Sequence, residues 1–112
     1  MIILREKNEL LKESLTEISY DEFVTEYNGV TVYDIQYFPF GNTFRTFCGF
    51  PQGILNLKYR DKFNIKYNNS FPVIMNTGDI ASITKSDAKH KGMSIYYVTT
   101  KYKEKLMFLM KT

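Results

Sequence analysis

The chain has 112 residues, 44% of them hydrophobic and 24% charged, with a formal net charge of +3. That length holds one domain with a buried core and leaves no room for two ordinary ones, and the composition excludes a disordered chain. A single cysteine, Cys48, and a single histidine, His90, exclude an internal disulfide and a multi-cysteine metal site, and no cofactor or metal is expected.

A lone thiol suits a reducing compartment. The opening MIILREKNELL has no basic leader, and its apolar run stops at Arg5, so it does not read as a secretory signal. No apolar stretch approaches the roughly 20 residues that cross a bilayer. The expectation is a soluble, cytoplasmic protein with no membrane partner.

The net charge hides an asymmetry. Residues 1–50 carry four basic and eight acidic side chains, whereas residues 51–112 carry eleven basic and four acidic ones. Such a split gives a dipolar surface that steers charged partners, although helices rich in Glu and strands rich in Lys produce the same split without any partner. Lys outnumbers Arg twelve to three, and Asn, Ile and Tyr are frequent. This is the usage of AT-rich coding sequence, associated with low-GC bacteria, their phages and mobile elements.

Taken in order, residues 4–18 read as a helix. Leu4, Leu11, Leu15 and Ile18 fall at helical spacing, and no Pro or Gly interrupts. Ser19-Tyr20-Asp21-Glu22 has the form of a capping box that starts a second, short helix. Tyr20, Phe23, Val24 and Tyr27 form its apolar face, and Asn28-Gly29 ends it. Asp21, Glu22 and Glu26 fall on its solvent side, an acidic face able to meet a basic protein groove.

From Val30 the period changes to that of strands. Val30–Phe38 and Thr43–Phe50 are rich in β-branched and aromatic residues, with a turn at 38–42 and a break at Pro51-Gln52-Gly53. Leu55–Tyr67 alternates almost without interruption. Its odd positions are apolar or aromatic except Asp61, and its even positions are Asn or basic: Asn56, Lys58, Arg60, Lys62, Asn64 and Lys66. Alternation puts one set on a core and the other on solvent. One strand of that length is too long for a small domain, so a hairpin is expected, turning at Arg60-Asp61-Lys62 with Tyr59, Phe63 and Tyr67 in the core. Further strands are expected at 71–76, 80–84, 93–102 and 105–110, with a turn at 77–79 and a polar loop over Lys85–Gly92. The fold class is therefore α+β. A helical pair over 1–29 precedes a β-rich segment over 30–112, an antiparallel sheet of six to eight short strands that could curl into a partial barrel.

The sites follow from this layout. Lys58, Arg60, Lys62 and Lys66 share one face and could contact nucleic-acid phosphates. His90 between Lys89 and Lys91 offers a second cluster for an anion. Lysines on a solvated sheet face also discourage edge pairing, so neither cluster identifies a function. Cys48 reads as a small buried hydrophobe. Ser82, His90 and Asp79 form a triad only on paper, because Ser82 lies within a strand and not on a nucleophile elbow. No catalytic residue is assigned.

The reading that follows is a small non-catalytic binding protein docking on a protein or nucleoprotein partner, in the manner of an inhibitor or accessory factor of a phage or mobile element. The alternative is a nucleic-acid-binding module using the basic ribbon. A small ribonuclease-like enzyme comes third.

Overall fold

The computed structural model describes residues 14–38, 52–67 and 73–111. In chain order the elements are β1 (Leu15–Ile18), helix α1 (Tyr20–Tyr27), β2 (Thr31–Phe38), β3 (Gly53–Asn56), β4 (Lys62–Tyr67) and β5 (Val73–Asn76). A 3-10 turn at Thr77–Asp79 follows, then β6 (Ile80–His90), β7 (Met93–Thr100) and β8 (Lys105–Met110). The expected strand at 43–50, with Cys48, and the expected helix up to residue 13 lie outside the described residues.

The eight strands form one sheet in the order β1-β6-β7-β8-β2-β3-β4-β5, with every neighbouring pair antiparallel. The sheet is not closed into a barrel, because β1 and β5 stand at its two ends. It is nevertheless bent. β5 is last in the order and β6 is second, yet only Thr77–Asp79 joins them. Three residues of 3-10 turn advance only about 6 Å, so the two sides are drawn together there.

The capping residues start α1 where expected. Ser19 Oγ accepts from the Glu22 backbone N–H at 3.2 Å, and Asn28 ends the helix. Upstream of Ser19 the helical expectation fails, because Leu15–Ile18 is a strand whose residues pair with Ser86–Ile83 of β6. Helical spacing of Leu15 and Ile18 is compatible with either state over so short a run. The β6 ladder decides it by supplying backbone partners that a helix would forgo.

The core lies on the inner side of the bend. Phe23 is the buried residue of α1 and meets Phe63 of β4, Tyr96 of β7 and Phe108 of β8, with centroids 6.0, 6.3 and 6.2 Å away. Val32, Leu55, Leu57, Ile65, Ile83, Val98, Leu106 and Met110 belong to the same cluster. Tyr27 Oη and Tyr96 Oη share a 2.8 Å hydrogen bond beside it. Ile95, Tyr97, Met107 and Leu109 form a second buried cluster on the opposite face of β7 and β8. The unbroken apolar runs of these two strands fit burial on both faces.

The β3–β4 hairpin keeps the expected faces but not the expected register. Leu55 pairs with Ile65 and Asn56 with Asn64, so the hairpin pivots on Arg60 rather than Asp61. Leu55, Leu57, Phe63 and Ile65 are buried as expected, but Tyr59 is 57% exposed at the turn. A two-residue register shift preserves the inside and outside sets, so alternation alone cannot detect it. The Lys62 N–H closes the turn on Tyr59 O at 3.2 Å.

The polar loop expected over Lys85–Gly92 is mostly strand. β6 runs on to His90, which pairs with Met93, and the register shifts between Lys85 and Lys89. The Asp87 N–H donates to Ser14 O at 2.9 Å. Only Lys91 and Gly92 form the turn, at φ 51° and 77°. A two-residue hairpin with both residues left-handed matches the strand twist, and Gly92 supplies one of those residues without steric cost.

Candidate functional site

The 3-10 turn fastens two hairpin tips. Thr77 Oγ1 donates to Arg60 O at 2.9 Å, and the Thr77 N–H donates to Asp61 O at 3.0 Å. On the other side the Lys101 N–H donates to Asp79 O at 2.9 Å, and Lys101 Nζ lies 3.4 Å from Asp79 Oδ1. The hydrogen bond to Asp79 raises the Lys101 pKa above its ordinary 10.5. The β7–β8 tip is closed from within. The buried Thr100 Oγ1 accepts from the N–H groups of Tyr102 and Glu104, at 3.3 and 3.2 Å.

The acidic and basic patches expected from sequence meet at this end. Asp21, Glu22 and Glu26 are exposed on α1. Arg60 Nη2 lies 3.3 Å from Asp21 Oδ1, with the two side chains 90% and 81% exposed. A pair so solvated contributes about 0–1 kcal/mol, so it adds little to holding the β3–β4 tip against α1. Beside it lies a cleft of about 520 Å³ whose lining includes Glu17, Ser19, Asp21, Arg60, Thr77 and Ser82. Tyr20 also lines this cleft, its hydroxyl donates to Lys62 O at 3.4 Å, and burial raises its pKa above 10.0.

The basic ribbon divides. Arg60 is engaged by Asp21, and Lys62 Nζ donates to Asn76 Oδ1 across the β4–β5 ladder. Lys58 and Lys66 are exposed and, among the described residues, make no ion pair. On the same outer face stand two isoleucines that sequence reasoning passed over. Ile54, opposite Lys66, is 46% exposed, and Ile74, opposite Asn64, is 53% exposed. Their signal was available: Ile54 has the parity of the even, outward set. The parity of Ile74 becomes readable only once the β4–β5 register is known. Asn64 Oδ1, between these strands, is buried without a hydrogen-bond partner.

Lys89, His90 and Lys91 lie far from this face, at the other end of β6. Ten residues of strand separate Ile80, in the cleft, from His90, a distance of up to about 33 Å. The basic clusters therefore do not form one site. The same separation parts Ser82 from His90, up to about 26 Å, and leaves no triad. Among the described residues, no three His, Cys, Asp or Glu side chains gather at metal-binding distance, and no helix is long and apolar enough to cross a membrane.

Comparison with known proteins yields no counterpart: no protein-family model, no curated protein and no solved structure matches the chain.

Proposed function

We propose that the protein is a non-catalytic binding protein that docks on a protein partner through the outer face of β3, β4 and β5. The observation that carries this reading is the exposure of Ile54 and Ile74 on a face where Lys58 and Lys66 make no ion pair among the described residues. Exposed apolar side chains ringed by charge match the centre and rim of a protein interface. The matching partner surface has an apolar centre and an acidic rim. An inhibitor or accessory factor, acting in the cytoplasm where a lone thiol stays reduced, fits this description.

A nucleic-acid reading of the same ribbon fits less well, because two of its four cations are already engaged within the molecule and two isoleucines interrupt the rest.

The test is reconstitution from a lysate of the organism that encodes the protein, scored by stoichiometry. A stable complex is expected with the unaltered chain. Ile74→Asp and Lys66→Glu should each weaken it at least tenfold, because each places an acidic group on a face meant to meet an acidic rim. Lys89→Ala should leave it intact. A complex that survives both substitutions, or a chain that stays monomeric and unpartnered, overturns the reading.

A further inference from the structure

We infer that the end of the sheet formed by the β6–β7 turn and Lys111 is a contact surface for the phosphate backbone of a nucleic acid. Three observations converge on it, none shared with the docking face.

The first is a juxtaposition that the sequence conceals. Lys89 pairs with Ser94 and His90 with Met93, while Ser94 pairs in turn with Met110 on β8. Lys111 follows Met110 directly. The ladder thus brings Lys89, His90, Lys91 and Lys111 to one end of three neighbouring strands, with His90 and Lys111 on one face, Lys89 on the other and Lys91 at the tip. From β6 to β8 is two strand spacings, about 10 Å. Phosphates along one strand of a nucleic acid recur about every 3.4 Å of axis, so this width faces about three of them.

The second is charge. Lys89, Lys91 and Lys111 are exposed, and none makes an ion pair among the described residues. Asp87 is the one carboxylate in 85–96, and its Oδ1 accepts the Ser14 N–H at 2.8 Å. The Lys111 ammonium lies 5.4 Å from the Tyr33 ring centroid, which keeps this side chain on the same end of the sheet.

The third is strain. Lys91 holds φ 51° at the first position of the turn, immediately before Gly92. Asn or Gly is the ordinary occupant of that position, because a lysine there meets a steric cost that they largely avoid. A cation kept at the outermost point of a hairpin, against local preference, points to a role outside the fold.

Anisotropy titration of a short labelled oligonucleotide, single-stranded and as its duplex, tests this across about 50 to 200 mM salt. Two lysine contacts, from Lys91 and Lys111, predict a slope of log K against log salt of about −1.4 for the single strand and about −1.8 for the duplex. Lys91→Asn is the decisive variant. It creates the favoured Asn-Gly turn, so the melting temperature should hold or rise while affinity falls several-fold and the slope shrinks by about 0.7–0.9. Lys111→Ala should shrink the slope equally, and Lys66→Ala should leave it unchanged. The inference is overturned by lack of binding at the lowest salt, by a slope unmoved in Lys91→Asn and Lys111→Ala, or by losses that follow Lys58 and Lys66 instead. A polyglutamate of equal charge that competes as well as the oligonucleotide also overturns it. Retention of the protein partner by Lys91→Asn separates these outcomes from the fate of the docking face.

Discussion

Replacing Phe23 with alanine should remove the contact that seats α1 inside the bent sheet. Phe23 is the buried residue of α1 and is fully buried itself, with its ring against Tyr27 at 5.1 Å and within 6.3 Å of Phe63, Tyr96 and Phe108. Truncating a buried phenylalanine costs about 3–5 kcal/mol, and this site belongs at the upper end. Its neighbours stand on three different strands, which cannot all collapse into one void. Unfolding entropy scales at about 2.1 cal/mol/K per residue, so a chain of 112 residues should lose about 4 °C per kcal/mol. The expected fall in melting temperature is therefore about 16–20 °C, measured by calorimetry or circular dichroism at fixed pH. Phe23→Leu, which leaves a smaller void, should lose about a third of that. A fall below about 5 °C for the alanine variant would refute the reasoning, because it would mean that α1 contributes little to the core.

Gly53→Ala should destabilise by about 1–3 kcal/mol, because the new Cβ would stand 2.6 Å from Ile65 Cγ2 and 3.3 Å from Ile35 Cδ1, and the fully buried Ile65 has nowhere to move. Urea unfolding should show a lower midpoint at unchanged slope, and an unchanged midpoint would place that packing in error. Thr100→Val keeps shape but removes the oxygen that accepts from Tyr102 and Glu104, for a loss of about 1–3 kcal/mol on the same assay. Tyr20 carries a prediction for alkaline pH. Burial raises its folded pKa above the unfolded value of 10.0, so its contribution is complete below 10.0 and is lost as pH rises through the raised folded value. Tyr20→Phe should decline less steeply in that window than the unaltered protein, and identical alkaline profiles would count against the burial of that hydroxyl.

Several elements were legible locally. Ser19 and Glu22 announced the start of α1, and the Tyr20-Phe23-Val24-Tyr27 spacing named the face that packs inward. The inside set of the ribbon, Leu55, Leu57, Phe63 and Ile65, followed from alternation. What failed had a common cause. Tyr59 was expected inside because alternation fixes parity but not register, and the pivot on Arg60 moved it into the turn. Lys85–His90 was expected to be loop because polar residues dominate it, yet β1 and β7 pair with it from either side and satisfy its backbone. The candidate surfaces show the same limit. Lys58 and Lys66 could be placed on one face from spacing, but the Asp21–Arg60 pair and the position of Lys111 at the same end of the sheet as the β6–β7 turn depend on long-range ladders.

By itself, then, the sequence determined periodicities: where the chain is helical for two turns, which side of each strand is apolar, and where the turns could fall. These depend on a residue and its near neighbours, and short-range sterics and capping decide them. Only the tertiary structure decided which strands are neighbours, and therefore that Leu15–Ile18 is a strand, that Thr77–Asp79 ties two hairpin tips together, and that four basic residues share the far end of the sheet. Backbone hydrogen bonds carry no side-chain signature. Partner choice is settled by which bend of the whole sheet buries Phe23 and its neighbours together, and no local window contains that information.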